Sequence, residues 1–526
     1  MNKSLKIILF IAAIFYLAFI AGTSFVVQNE RYFTLVDDAM ISMRYARNLA
    51  QGHGLVWNVG EAPVQGFTNF GWTLYMGFLH LFPFAASKIS LAVMLTSALI
   101  LLGNIIVVHK IAEVLAPESK FAPMFAAIVT AFYFPLVFWS LRGMEVGALV
   151  LLVDLALLLA INSKTDSKVS RLWSGKRTSG DVRLRIGLIL SLAIFVRIDA
   201  VIAAVVIVAY LFFKDKKSFI IPAVMVALTT IAILYFQQTY FGDFLPTTYY
   251  QKVTGYTLFA RVKHGLLMFN EFATRDTLFL FLFSLAGIFF YKQFTLETYL
   301  LAAIFLAQCA YSIYVGGDYA EFETNAANRF VTQGMSALLI LFAWMMSRVL
   351  SDLIISRTPK SPDFGNSLAK SGDFAVPLAV IVLIIISGEP WTIYAIDNAP
   401  LLKADIRRVK LGLHIARNTD PEAVIAVHAA GQIPYYANRA TIDLLGLNDP
   451  IVAKGQGNGE FYPGHNKWDY DYSIGQLQPD LIADNFTALS GYMRGHDQYQ
   501  MLESDIYIRK DSAYINVNGL SSKEYR

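Results

Sequence analysis

Cysteine, histidine and charge are all scarce in this chain of 526 residues, and each scarcity removes a class of function. The one cysteine, Cys309, lies inside an apolar run, so neither a disulfide framework nor a thiolate metal site can be built. Among the 8 histidines, His53, His428 and His465 follow no metal-ligand spacing, which argues against a zinc centre. Charged residues make up 16% of the chain, where a soluble protein usually carries about a quarter. The net charge of +4 is small and the lysines and arginines gather in loops, so they report membrane orientation and no nucleic-acid partner is expected. Internal repeats are missing, and with them the inverted pairing of many transporters.

What the chain has instead is hydrophobic residues, 56% of the total, arranged in long runs bounded by charge, glycine or proline. Candidate spans are 5–27, 89–108, 121–139, 146–161, 186–198, 200–213, 218–236, 277–291, 295–315, 330–347 and 373–390. The fold class expected is an α-helical polytopic membrane protein of about eleven spans with a small C-terminal α/β domain. The first run has no small-residue cleavage pattern and reads as a retained span.

Loop charge sets the orientation. Lys3 and Lys6, the basic loop 162–185, "KDKK" at 214–217 and the loop 348–372 should all be cytoplasmic. That holds if "GWTLYMGFLHLFPF" (71–84) lies in the interface, for which its length, His80 and Pro83 suit it. Residues 186–198 and 200–213 then form two short arms with Arg197 and Asp199 at their turn. On this topology the charged outer segments converge on one face, which marks an outward-facing polar site. The domains expected are a membrane domain, 1–390, with a first outer loop at 28–88, and an extracytoplasmic α/β domain, 391–526. Strand-like stretches in the latter are 423–428, 440–446 and 479–484.

Asp37 and Asp38 open about thirteen residues free of helix breakers, ended by Gly52 and Gly54, and so occupy a helix N-terminus. Backbone amides there favour anions, and an ionised carboxylate suits a general base or a metal ligand. The adjacent charges repel, so a divalent cation, Mg or Mn, between them stays open. The plainer alternative is a cap paired to Arg44 or Arg47.

The stretch "DDAMISMRYARNLAQGHGLVWNVGEAPVQGFTNFGW" carries Asp37, Asp38, Arg44, Tyr45, Asn48, Gly52, His53, Gly54, Asn58, Gly60, Glu61, Gly66, Thr68, Asn69 and Trp72. It resembles the first outer loop of the C-type-fold glycosyltransferases that use polyprenyl-phosphate sugars. Terminal β-(1→2)-arabinofuranosyltransferases and pilin arabinosyltransferases resemble it most. Protein O-mannosyltransferases and lipid A aminoarabinose transferases are more distant. Further matches are "GME" (143–145), "RID" (197–199), "FGDFLPTTYYQK" (241–252), "GGD" (316–318) with Arg329, "GQIPYYANRATIDLLGLND" (431–449), "GHNKWD" (464–469) and "PD" (479–480). Two departures are Ile198 in place of a proline and the wide gap from Asp318 to Arg329.

The resemblance implies transfer of a sugar, arabinofuranose by its nearest relatives, from a polyprenyl-phosphate donor to a surface polysaccharide or a pilin-like protein. It implies that Asp38 or Asp37, with Asp38 favoured, removes or orients the acceptor proton. The site would face outward from the bacterial inner membrane, in contact with membrane lipid. The donor phosphate then needs cations, and Arg197, Lys252, Arg329 and Arg142 are the candidates. Sugar or acceptor contacts are expected from Glu145, Asp199, Asp318, Asn69, His465 and Lys467. Each has a structural alternative: an Arg197–Asp199 pair, a snorkelling Lys252, a capping Asp318, an Arg142–Glu145 pair, and a solvated turn for His465 and Lys467. Rival functions are a secondary transporter with an outer binding domain, an oligosaccharide ligase using a pyrophosphate-linked glycan, and a scaffold whose tail binds cell-wall glycan.

Overall fold

The computed structural model describes residues 2–162, 179–318, 328–357, 374–396, 400–483, 487–503 and 506–521. Helix α1 (Lys3–Gly22) starts on Asn2, whose side chain accepts from the Leu5 amide at 2.7 Å. It stops short of the expected span end at 27. The β-branched pair Val26–Val27 instead forms a hairpin, β1 (Phe25–Val27) with β2 (Glu30–Tyr32), closed by Gln28 and Asn29 at φ 51° and 65°. Two positive-φ residues give the turn whose twist matches a tight antiparallel pair.

Helix α2 (Asp37–Ala50) carries the acidic pair in its first turn, as expected. Helix α3 (Phe70–His80) has 11 residues, too short to span, as the interfacial reading of 71–84 requires. Helices α4 (Ile89–Leu115), α5 (Phe121–Phe132) and α6 (Phe134–Leu141) follow. The expected span 121–139 is thus broken, with a bend of 47° between α5 and α6. Pro135 in the first turn of α6 supplies the cause, since its ring cannot continue a preceding helix. The Phe134 amide donates across the bundle to Ser387 Oγ at 3.1 Å.

Next come α7 (Val146–Asn162), α8 (Ser179–Val196), a 3₁₀ turn over Ile198–Ala200 and α9 (Val201–Lys214), the expected pair of arms. Helices α10 (Ile220–Phe241), α11 (Thr247–Val253) and α12 (Leu258–Phe272) lead through a π-helical turn (Ala273–Thr277) into α13 (Leu278–Phe290). The bundle is completed by α14 (Leu296–Val315), α15 (Arg329–Arg357) and α16 (Ala375–Ile396). Apart from the end of 5–27 and the break in 121–139, the expected spans lie mainly on helices. Among the described residues, α1, α4, α10, α14, α15 and α16 are long and apolar enough to cross a membrane, and the bent α5–α6 pair makes up to 7 such spans. Helices α7 and α13 are apolar but shorter. The chain is a multi-pass membrane protein. Most of the basic loop 162–185 and of the loop 348–372 lies outside the described residues.

Helix α17 (Pro400–Asn418) opens the C-terminal α/β domain, since α16 runs past 390 to Ile396. Strands β3 (Val424–Val427), β4 (Ala440–Asp443) and β5 (Leu481–Ala483) are the three expected, with short helices α18 (Gln432–Ala437) and α19 (Pro450–Lys454) among them. Helix α20 (Thr487–Met493) leads to a C-terminal hairpin, β6 (Tyr499–Glu503) and β7 (Ile506–Arg509), that had no counterpart in the expectation. The sheet order is β4-β3-β5-β7-β6, parallel among the first three and antiparallel beyond. Alternation places Ile425, Val427, Leu481, Ala483, Ile506 and Ile508 on one face and Ala426, Ile482 and Tyr507 on the other.

Helix α2 belongs to two cores. Ala39, Met40, Met43 and Ala46 pack into the membrane bundle. Ile41 and Tyr45 pack with Leu411, Ile415 and Ile433 of the C-terminal domain. The helical period puts the two sets on different faces, so α2 is a wedge between domains.

Candidate active site

A cleft opens where the start of α2, the 3₁₀ turn after α8, α11, the end of α14 and the start of α15 meet loops of the C-terminal domain. About 1060 Å³ of empty space lies within it and at its mouth, open solvent included. Asp38, Ser42, Asn69, Arg197, Asp199, Lys252, Tyr249, Tyr311, Arg329 and His465 are among the residues lining it. Charged residues from several of the segments expected on the outer side therefore meet at one cleft.

The acidic pair divides. Asp38 faces the cleft, with 26% of its side chain exposed, and its Oδ2 lies 2.8 Å from Arg329 Nη1. Burial alone would raise its pKa, but Arg329 beside it, helped by Lys252 and His465, holds it below the usual carboxylate range. Asp37 turns the other way, where its Oδ1 accepts from the Gln432 amide at 2.8 Å and its Oδ2 from the Gly431 amide at 3.1 Å. It thereby caps α18 of the C-terminal domain. Burial pushes the Asp37 carboxyl up to about 6, against the pull of Arg408 and those two amides.

Neither carboxylate pairs with Arg44 or Arg47. Arg44 donates to the carbonyls of Trp57 (2.9 Å), Pro434 (2.9 Å) and Arg439 (2.8 Å) and to Asn58 Oδ1 (2.7 Å). Arg47 donates to the Tyr435 carbonyl at 2.8 Å. A cation shared by Asp37 and Asp38 does not fit this donor set, because Asp37's oxygens are occupied by amides and Asp38 is held by a guanidinium. Among the described residues no group of three or more His, Cys, Asp or Glu is placed to hold a metal.

Seven of the ten remaining expected residues fall into three sets. Arg329 is a hub: Nη1 reaches Asp38, and Nε lies 3.0 Å from Asp318 Oδ2, which also accepts the Arg329 amide at 3.2 Å. Asp318 is thus a buried orienting carboxylate one layer behind the cleft, and residues 319–327 of the wide gap lie outside the described chain. Arg197 forms the second set. Its Nη1 lies 2.6 Å from Glu145 Oε1 and its Nε 2.9 Å from Asp199 Oδ2, while Asn69 Nδ2 donates to Glu145 Oε2 at 2.9 Å. Lys252 stands apart, because among the described residues its ammonium makes no hydrogen bond or ion pair. It sits 5.3 Å from the Phe330 ring centre. Burial pushes it down to about 8, with Arg329 adding to the effect and Asp318 and Asp38 opposing it.

Arg142 and Lys467 lie outside the cleft. Arg142 pairs with Asp405 of α17 and donates to the Thr34 carbonyl at 3.0 Å, so the Arg142–Glu145 pair does not form. Lys467 is 1% exposed and donates to the carbonyls of Tyr250 (3.0 Å) and Ala453 (2.6 Å) and to Thr254 Oγ1 (2.9 Å). His465 does line the cleft, with its Nδ1 3.0 Å from the Pro463 carbonyl. Sequence reasoning missed Tyr311 and Asp405. Tyr311 lines the cleft beside Asp199, and the sequence did not set its hydroxyl apart from those of Ser312 and Tyr314 on the same helix end. Asp405 had a signal, as the lone acid in "LLKADIRRVK".

Comparisons with known proteins agree with this architecture. Residues 400–523, the C-terminal domain, match a family described as a domain of unknown function, DUF8728. No curated protein matches the chain. Among solved structures, the AglB oligosaccharyltransferase of Archaeoglobus fulgidus, in complex with an inhibitory peptide and a dolichol-phosphate, superposes with a TM-score of 0.56 at 12% identity, over 91% of this chain and 69% of that one. An oligosaccharyltransferase of the same organism tethered with an acceptor peptide containing the NVT sequon gives 0.55, with the same identity and coverage. ArnT from Cupriavidus metallidurans bound to undecaprenyl phosphate gives 0.52 at 11% identity, over 96% of this chain and 98% of that one. At such identity the likeness is one of fold: the chain has the C-type fold of membrane glycosyltransferases.

Proposed function

We propose that the protein is a membrane glycosyltransferase that moves a sugar from a polyprenyl-phosphate donor to an acceptor hydroxyl outside the membrane. One observation carries the reading: Asp38, Arg329 and Lys252 open together into one cleft at the end of an apolar bundle. A lipid-linked phosphate needs cations at such a boundary, and an attacking hydroxyl needs an ionised carboxylate.

In this reaction the acceptor oxygen attacks the anomeric carbon and the bond from that carbon to the phosphate oxygen breaks. The electron pair leaves with the polyprenyl phosphate, whose growing charge Lys252 and Arg329 neutralise. The acceptor proton goes to Asp38. At rest Asp38 is a weak base because Arg329 holds it ionised. A donor phosphate that draws Arg329 toward itself would loosen that hold and strengthen the base. Glu145 and Asp199 fix the Arg197 guanidinium at the cleft wall, and Asn69 orients Glu145. Anchoring the donor in lipid lowers the entropic cost of the encounter.

The cleft is read as extracytoplasmic on a bacterial cytoplasmic membrane, with the helices up to Ile396 as membrane domain and the domain that opens at Pro400 as outer domain. The "KDKK" turn (214–217) supports this, since it sits at the end of α9 opposite the cleft turn. Lys3 and Lys6 likewise begin α1, whose far end leads to Asp38. Arabinofuranose as the sugar, and a surface polysaccharide or pilin-like acceptor, rest on the sequence resemblance. A pyrophosphate-linked oligosaccharide is the second reading, favoured by the fold likeness to an oligosaccharyltransferase.

The test is transfer by the purified protein to an envelope extract from arabinofuranosyl, mannosyl and pyrophosphate-linked oligosaccharide donors in parallel. The expected outcome is release of polyprenyl phosphate from the arabinofuranosyl donor. No release from any donor, with uptake of a soluble solute by vesicles carrying the protein, would overturn the reading.

A further inference from the structure

Two of the helices that supply the cleft's chemistry, α2 with Asp38 and α11 with Lys252, are each gripped by the C-terminal domain a residue or two from the group that matters. On α2, Asp37 receives the amides of Gly431 and Gln432. A side chain at position 431 would collide with the Asp37 carbonyl oxygen, so only glycine allows this backbone approach. On α11, Lys467 donates to the Tyr250 carbonyl and to Thr254 Oγ1, on either side of Lys252. Its third bond, to the Ala453 carbonyl, ties in the end of α19. One buried ammonium thus serves carbonyls near the C-terminal ends of two helices, where the helix dipole favours a cation. Thr254 Oγ1 also donates to the Ala453 carbonyl at 3.1 Å.

We propose that the C-terminal domain, which carries the match of unknown function, is the spacer that sets the distance between carboxylate and phosphate-binding cation, with Asp37, which it grips on α2, and its own Lys467 as the two positioning residues. The proposal rests on the glycosyltransferase reading above. The two clamps act on different steps. Loss of the Lys467 clamp displaces Lys252 and weakens the hold on the lipid phosphate. Loss of the Asp37 clamp displaces Asp38 and slows the chemical step. A displacement of about an ångström is enough for large losses in a positioned site.

The experiment measures binding of undecaprenyl phosphate, without sugar, to purified full-length protein, alongside kcat and donor KM. Lys252→Met is the control for the donor reading. Lys467→Met should weaken lipid-phosphate binding and raise donor KM by roughly tenfold or more, with Lys467→Arg restoring much of the loss. Asp37→Asn should leave lipid-phosphate affinity within about twofold and lower kcat by roughly tenfold. If Lys467→Met does not fold, Thr254→Val, which removes one of the ammonium's three acceptors, takes its place with the same direction of effect. Weakening by Lys252→Met but by neither clamp variant on α11 overturns the spacer proposal alone. Weakening by Asp37→Asn equal to that of Lys467→Met overturns the division between clamps. No effect of Lys252→Met removes the donor reading and the proposal with it.

Discussion

Arg329 Nη1 lies 2.8 Å from Asp38 Oδ2, joining the start of α2 to the start of α15 across 291 residues of sequence. The contact keeps the carboxylate charged and the guanidinium at the cleft, so on the glycosyltransferase reading one pair prepares the binding groups of both reactants. Removing the arginine should therefore affect chemistry as well as binding. Arg329→Met is expected to lower kcat by roughly 10²–10³-fold. Arg329→Lys should recover part of the charge effect but not the fork that reaches Asp38 and Asp318 together. Steady-state kinetics with a saturating donor separates the two variants.

The state of Lys252 sets a pH dependence. Burial pushes its ammonium down to about 8, so the charge is present below that pH and lost above it. In the free enzyme kcat/KM for the donor should fall about tenfold per pH unit above roughly 8. A bound phosphate favours the ammonium, so the limb in kcat should lie at higher pH. Asp38, held below the usual carboxylate range, contributes no acid limb near neutrality. Lys252→Met should abolish the alkaline limb in a kcat/KM profile; a limb that persists unchanged would assign it elsewhere.

The pair Arg142–Asp405 links the turn after α6 to α17, with both side chains 2% exposed. Breaking a buried pair leaves one charge without compensation, at a cost of about 3–5 kcal/mol. Arg142→Met should lower the midpoint of thermal unfolding in detergent, and Arg142→Met with Asp405→Leu should recover most of the loss. A single variant as stable as the parent would show that the pair carries no structural load.

Run length and patterning made much of the fold legible: the candidate spans lie mainly on helices, and strands β3, β4 and β5 sit where short apolar stretches end at turn residues. The hairpin β6–β7 was harder to read, because "MLESDIYIRK" interrupts its apolar alternation with charge. At the site, the cleft side was readable and most partners were not. Arg142 stands three residues before Glu145, a spacing that pairs side chains only on a continuous helix. Gly143 at φ 98° ends that helix, so the two diverge to Asp405 and Arg197. Asp37 and Asp38, adjacent in sequence, point about a helical step apart, and what each meets depends on the distant segments 431–432 and 329. Local pattern carries no information about such contacts.

The division of the acidic pair gives the most direct test. Release of polyprenyl phosphate from a polyprenyl-phosphate sugar, with acceptor present, should fall by roughly 10²–10⁴-fold in Asp38→Asn. In Asp37→Asn it should fall by only about tenfold, because that carboxylate caps α18 and touches no cleft group. Full activity in Asp38→Asn, or loss confined to Asp37→Asn, would contradict the assignment of the cleft carboxylate.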